Sequence, residues 1–172
     1  LKAAEYDFEV LAITNHNQMD FSRELSSFAA SKGILLIPGV EATLEGRHLL
    51  LYNFLNYRPG WTIQDVRRSK GAGQLVIAPH PFYPVRTALR EKFFEWSDLI
   101  DAVEINSLYF TGLNFNRRAI RVARHKGLPL VGNSDLHFLF QVGRTYSLID
   151  SEYATADFVR LVARADGDAL AA

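Results

Sequence analysis

Leu128 to His137, read Leu-Pro-Leu-Val-Gly-Asn-Ser-Asp-Leu-His, constrains this chain more than any other stretch. Its first half is a short apolar run opened by a proline, which suits a buried strand. Its second half carries two ligand-type side chains two residues apart. In an extended chain such side chains point the same way, so Asp135 and His137 are expected to converge on one point, read as a metal. A lone Asp-x-His pair is a weak signal. Its weight comes from repetition, because three other predicted strands also run into residues of ligand type.

Those strands alternate with helices. Phe8 to Thr14 reads as a mostly buried strand entering Asn15-His16-Asn17, and Asp20 reads as the N-cap of a helix carrying Phe21, Leu25 and Phe28 and stopped by Gly33. Ile34 to Pro38 is the next strand, followed by Gly39-Val40-Glu41, and Arg47 to Phe54 reads as a hairpin partner across a Glu45-Gly46 turn. Thr62 and Asp65 form a capping-box start for a helix ending near Gly71 or Gly73. Leu75 to Ala78 is a strand entering Pro79-His80-Pro81, where two prolines are expected to hold His80 extended.

Thr87 to Trp96 then reads as a helix, Ala102 to Asn106 as a strand, and Asn114 or Asn116 as the cap of a helix reaching Lys126. Arg144 to Ile149 is expected to add a strand and Thr155 to open a last helix through Phe158, Leu161 and Val162. Alternating strands and helices imply one α/β domain over residues 1–172, with function at the carboxyl ends of the strands. That rule collects His16, Glu41, His80, Glu104 or Asn106, Asp135 and His137. Mixed imidazole and carboxylate suits zinc, manganese or iron rather than calcium, and Glu41 suits a bridging role. His48, inside a strand, and His125, on a basic helix face, are left out.

Composition removes competing classes. The 172 residues, 48% hydrophobic, suffice for a sizeable core. A formal net charge of zero gives no whole-molecule field for nucleic acid or an anionic membrane. The run Arg117, Arg118, Arg121, Arg124, His125 and Lys126 reads as a solvated face whose cations suit a helix end. No cysteine is present, which excludes disulfides, thiolate zinc sites and cysteine nucleophiles. With no apolar run long enough for a membrane span and no signal segment, a cytoplasmic protein is expected.

Ile13-Thr14-Asn15-His16, Gly39-Val40-Glu41, Ala78-Pro79-His80-Pro81, Val103-Glu104-Ile105-Asn106 and Gly132-Asn133-Ser134-Asp135-Leu136-His137 resemble, in order and spacing, the motifs of the PHP (polymerase and histidinol phosphatase) family. The resemblance implies a distorted (β/α)7 barrel with up to three divalent metals at the strand ends, and hydrolysis of phosphomonoesters or phosphodiesters by a metal-activated water. Carried over by motif, His16 and His137 would share one metal, Glu41 and Asp135 another, and Glu41 with His80 a third. Glu104 or Asn106 would be the variable fifth-strand ligand. Asp135 and His137 are also taken as catalytic, and Arg144 and Arg117, with Arg86 beside them, as phosphate clamps.

The sequence departs from the family twice. The opening strand with its His-x-His motif is expected upstream of Leu1 and is absent here, and Thr14-Asn15-His16 stands where the family has Thr-Asp-His. Fewer metals than three, and an oligomer formed through the exposed barrel edge, are the corresponding expectations. The expected substrate is a small phosphorylated metabolite or a nucleotide, with Phe82, Tyr83, Tyr109 and Phe110 lining its pocket. The alternatives are a non-catalytic PHP-like scaffold or partner module with a degenerate metal site, and metal-dependent cleavage of a carbon–nitrogen or carbon–oxygen bond.

Overall fold

A computed structural model describes residues 2–106, 114–135 and 137–148. Among them, five helices, α1 (Lys2–Glu5), α2 (Arg23–Ala30), α3 (Ile63–Ser69), α4 (Lys92–Glu95) and α5 (Asn116–Lys126), alternate with the strands β1 (Val10–Ile13), β2 (Leu35–Leu44), β3 (Arg47–Tyr52), β4 (Leu75–Ala78), β5 (Ala102–Asn106) and β6 (Leu130–Asn133). The strands form one curled sheet in sequence order. Among the described residues six strands build it, and a seventh unit of the expected distorted (β/α)7 barrel is not among them. β3 runs antiparallel to both its neighbours, and the other pairs are parallel.

β2 is the long element of the sheet. Its first half pairs with β1 and its second half with β3, so one continuous strand carries the chain around the curl. Gly39 lies where the two pairings meet. A Cβ there would come within 2.9 Å of Thr14 Cγ2 and 3.3 Å of Ile13 O. Gly39→Val is therefore expected to cost about 1–3 kcal/mol through overpacking, read from urea unfolding midpoints.

Side chains alternate between the faces of this sheet. Val40, Ala42, Leu44, Leu49, Leu51, Val76, Val103 and Leu130 point outward and pack beneath the helices, against Ile63 and Val66 of α3, Phe93 of α4 and Ala119 and Ala123 of α5. Ile37, Leu50, Tyr52, Leu75, Ile77, Ala102 and Val131 point inward and fill the concave face. Phe8 meets Tyr146 edge to face at 5.9 Å, and the Tyr6 ring lies against Gly143. The two sides of the curl are thus joined by side chains.

Several local expectations hold. The Glu45-Gly46 turn joins β2 to β3, both residues taking the positive φ of a two-residue hairpin turn. The Thr62 amide donates to Asp65 Oδ2 at 2.7 Å, closing the expected capping box. α5 reaches Lys126 as expected, and Gly127 at φ 65° then ends it.

Others are corrected. Ser22 caps α2, its Oγ accepting from the Leu25 amide, because Asp20 is engaged by the side chains of Asn15 and Gln18. The helix expected over Thr87–Trp96 shrinks to α4, since Arg90 at φ 49° breaks it and sends its amide to Pro81 O. Residues 144–148 form no strand. There the Ser147 hydroxyl pairs with β6, accepting from Gly132 N at 2.9 Å and donating to Gly132 O at 3.3 Å. The helix expected from Thr155 lies outside the described residues, as do Tyr109 and Phe110.

Candidate metal centre

Three chain segments bring imidazoles to one carboxylate on a fourth. Glu41 sits within β2 rather than at a strand end, 5% exposed on the concave face. Its Oε1 lies 2.6 Å from His48 Nδ1 and 3.4 Å from His80 Nε2, and its Oε2 lies 3.0 Å from His16 Nε2. His16 reaches it because the loop after β1 continues beside β2. The Glu41 amide donates to Asn15 O, and the Asn17 amide donates to Glu41 O. The Asn17 side chain then ties that loop to Thr43.

The sequence leaves His48 out of the ligand set, and the structure brings it in. Across the hairpin Thr43 faces His48 and Glu41 faces Leu50, so Glu41 and His48 share the concave face, one step apart on the diagonal. The two-residue turn was itself the signal. Ligand atoms of His16, Glu41 and His48 lie within 4.8 Å of one another.

His80 departs from its expected geometry. Its φ is 30°, so the flanking prolines do not hold it extended. The Tyr83 amide donates to His80 O, making a turn, while the His80 amide donates to Glu104 Oε1 at 3.3 Å. An L residue at positive φ costs about 1–3 kcal/mol, which a hydrogen bond to a buried carboxylate of about 1.5–3 kcal/mol offsets. His80 is 8% exposed, and its Nδ1 is a buried side-chain nitrogen with no hydrogen-bond partner among the described residues.

Asp135 and His137 do not converge as an extended pair. Asp135 has φ 46°, and His137 Nδ1 donates to the Asp135 carbonyl oxygen at 2.9 Å, with the carboxylate 3.7 Å away. This bond leaves Nε2 as the lone-pair nitrogen of a neutral ring, the arrangement usual for a ligating histidine. The His137 ring lies 6.2 Å from that of His16, so it borders the cluster. Gln141 Oε1 accepts from the amides of both His137 and Phe138 and fixes the turn that follows.

Glu104 lies apart from the group of His16, Glu41 and His48. It is 2% exposed and accepts from Asn106 Nδ2 and Asn133 Nδ2, each at 3.2 Å, besides His80 N. Asn106, the other fifth-strand candidate, accepts from Tyr83 OH at 2.7 Å and is clamped through its backbone by Asn116. Tyr83 therefore belongs to this network rather than to an open pocket wall, and Phe82 packs on Phe93 beneath Arg118. Arg86, Arg117 and Arg144 are exposed. None of these three side chains is joined to the cluster by a hydrogen bond or ion pair among the described residues.

Burial and hydrogen bonding account for the titration behaviour. Burial pushes the Glu41 carboxyl up, yet hydrogen bonds from His48 and His80 outweigh it and hold the group well below the usual range. Burial lowers His80, but the hydrogen bond to Glu41, aided by the charges of Glu104 and Asp135, raises it overall. Burial pushes Glu104 up to about 7.

Stability from Glu41 is present in full above its ordinary value of 4.5 and lost as the pH falls below it. Stability from His80 is present below its ordinary 6.5 and lost as the pH rises through its raised value. That linked to Glu104 is present below 4.5 and lost as the pH rises through about 7. The metal-free chain is therefore expected to melt highest at about pH 5 to 6 and lower toward pH 8. A thermal series across that range checks this, and a midpoint still rising at pH 8 would contradict it.

The donor set suits a first-row divalent ion. Three imidazoles and a buried carboxylate face one another across 2.6–3.4 Å, and one imidazole nitrogen is buried without a partner. Among the described residues no helix is long and apolar enough to cross a membrane.

Comparison with known proteins agrees with the motif reading. Residues 114–165 match the PHP-associated family. An uncharacterized protein of Methanocaldococcus jannaschii is 30% identical over 109 residues, covering 62% of this chain and 63% of that relative, so the match spans less than two thirds of the relative's length. An amidohydrolase from Chromobacterium violaceum, solved with bound sulfate and no metal, superposes with a TM-score of 0.61 at 16% identity, covering 92% of this chain and 87% of that one. At that identity the likeness speaks for the fold, a barrel-like α/β architecture.

Proposed function

From the premise of a PHP-family domain, we propose that this chain is a metal-dependent hydrolase of phosphate esters, phosphomonoesters or phosphodiesters, acting in the cytoplasm on a small phosphorylated metabolite or a nucleotide. The observation that carries the reading is the Glu41 carboxylate ringed by His16, His48 and His80. Those four residues, with His137 and Asp135 at the border, would hold the metal, as zinc, manganese or iron. Such an ion, when bound, polarises a phosphoryl oxygen and makes water acidic enough to serve as nucleophile near neutral pH.

The chain's own residues supply the rest. Glu41 balances cationic charge on a concave face that it shares with His48 and with apolar side chains such as Leu50 and Ile77. His137, with Nδ1 engaged by a backbone carbonyl, presents Nε2 in a defined tautomer. The half-exposed rings of His16 and His137 put the open side of the cluster toward solvent, where substrate arrives. Arg117 and Arg144, on α5 and after the turn at Gln141, are proposed as mobile phosphate partners. Closure of the curl into a seven-unit barrel by a further strand belongs to the same proposal. The sulfate in the structurally similar amidohydrolase supports a tetrahedral-anion substrate.

A second reading, cleavage of a carbon–nitrogen bond, is favoured by that protein's designation as an amidohydrolase. Assaying the zinc-, manganese- and iron-loaded chain for phosphate release and for amine release separates the two, and activity on neither, with metal bound, would leave a binding module. Asp135→Ala and His80→Ala are each expected to weaken metal affinity by about 10- to 100-fold while leaving the fold intact. Elemental analysis after dialysis measures this, and unchanged metal content in both variants would sink their assignment.

A further inference from the structure

The fifth-strand carboxylate has a place of its own. Glu104 is fully enclosed, and its two oxygens accept three hydrogen bonds, from the His80 amide, Asn106 Nδ2 and Asn133 Nδ2. Asn133 stands on β6 and Asn106 two residues along on β5, in register with each other. A carboxylate has about four lone-pair positions, so most of its capacity is already spent on protein donors. The amide it accepts belongs to His80, a residue held at φ 30° between Pro79 and Pro81. Without that acceptor a buried N–H would be orphaned, and the turn at His80 would rest on the Tyr83 amide's bond to His80 O alone.

We propose that Glu104 is a positioning residue: it fixes the backbone of His80, and thereby aims the His80 ring at Glu41, without itself binding metal. The inference rests on the metal-centre reading above. It separates reach from charge, because the acceptor must extend to the His80 amide and its negative charge is secondary.

Two variants cross those properties. Glu104→Gln keeps the reach and an acceptor oxygen but loses the charge, and Glu104→Asp keeps the charge but withdraws the acceptor. With Co2+ as the probe, Glu104→Gln is expected to stay within about threefold of the wild-type affinity, and Glu104→Asp to weaken it about 10- to 100-fold. The saturated visible spectra of all three should coincide, as an unchanged ligand set requires. In the metal-free chain, the His80 backbone amide resonance should hold its position in Glu104→Gln and move in Glu104→Asp.

A shifted saturated spectrum in Glu104→Gln would make Glu104 a ligand and overturn the inference. So would the reverse order of affinities, equal affinities in both variants, or a His80 amide that follows neither substitution. Should Glu104→Asp fail to fold, Glu104→Met, which keeps the length and lacks the acceptor, takes its place. A wild-type chain that takes up no Co2+ would sink the metal-centre reading along with this one, whereas wild-type binding with unseparated variants would sink this one alone.

Discussion

Glu41→Gln is expected to lower divalent-metal affinity by about 100-fold or more, a loss of about 2.7 kcal/mol or more of binding free energy, and to take any hydrolytic activity down with it. The shape of the side chain survives, but its charge does not, and that charge is what three imidazoles face within 2.6–3.4 Å. Glu104 cannot take its place, since it is committed to its own donors. Isothermal titration with zinc and with manganese measures the loss. The same variant should lessen the fall in stability below pH 4.5, because the most buried of the carboxylates held below their usual range is gone. Wild-type affinity in Glu41→Gln would remove Glu41 from the centre of the site.

Phe93→Ala is expected to carry the largest cost in stability, about 3–5 kcal/mol, with metal affinity unchanged below the unfolding transition. Phe93 is fully buried, its ring 5.4 Å from Phe82 and 5.5 Å from Phe94. It belongs to the outer cluster, between the sheet and its helices, whereas Glu41 and His48 face the concave side. Denaturant midpoints paired with a metal titration on the folded variant test both halves. A metal affinity that collapses with Phe93→Ala would mean that the two faces of the sheet are coupled.

The two variants together separate what supports the sheet from what the sheet presents. Their independence follows from the strand period of two, which sends alternate side chains to opposite faces of one backbone. On β2, Val40 and Ala42 enter the outer core while Glu41, between them, faces the imidazoles.

His48 shows how much of the site was legible in the residues. The sequence reading placed a hairpin turn at Glu45-Gly46, and a two-residue turn admits one register, in which Leu44 faces Arg47 and Thr43 faces His48. Counting outward in steps of two puts Glu41 and His48 on the same face. A position inside a strand reads as remote from the strand ends, yet β2 runs on through Glu41 and the centre is built within the sheet. The Asp135–His137 pair erred in the opposite sense. Two-residue spacing implies convergence only if the intervening backbone is extended, and Asp135 at φ 46° is not.

The sequence by itself determined the six strands and their order, the hairpin, the capping box of α3, the reach of α5 to Lys126 and the inventory of ligand-type side chains, because each depends on residues close together in the chain. Only the tertiary structure decided that Glu41 is the hub, that His16 and His80 reach it and that Glu104 stands behind His80. These outcomes depend on distances between residues 24 to 39 positions apart, set by how a mixed six-stranded sheet curls and which of its faces the helices cover. Local spacing fixes the direction of a side chain, whereas the point where several directions meet is a property of the whole sheet.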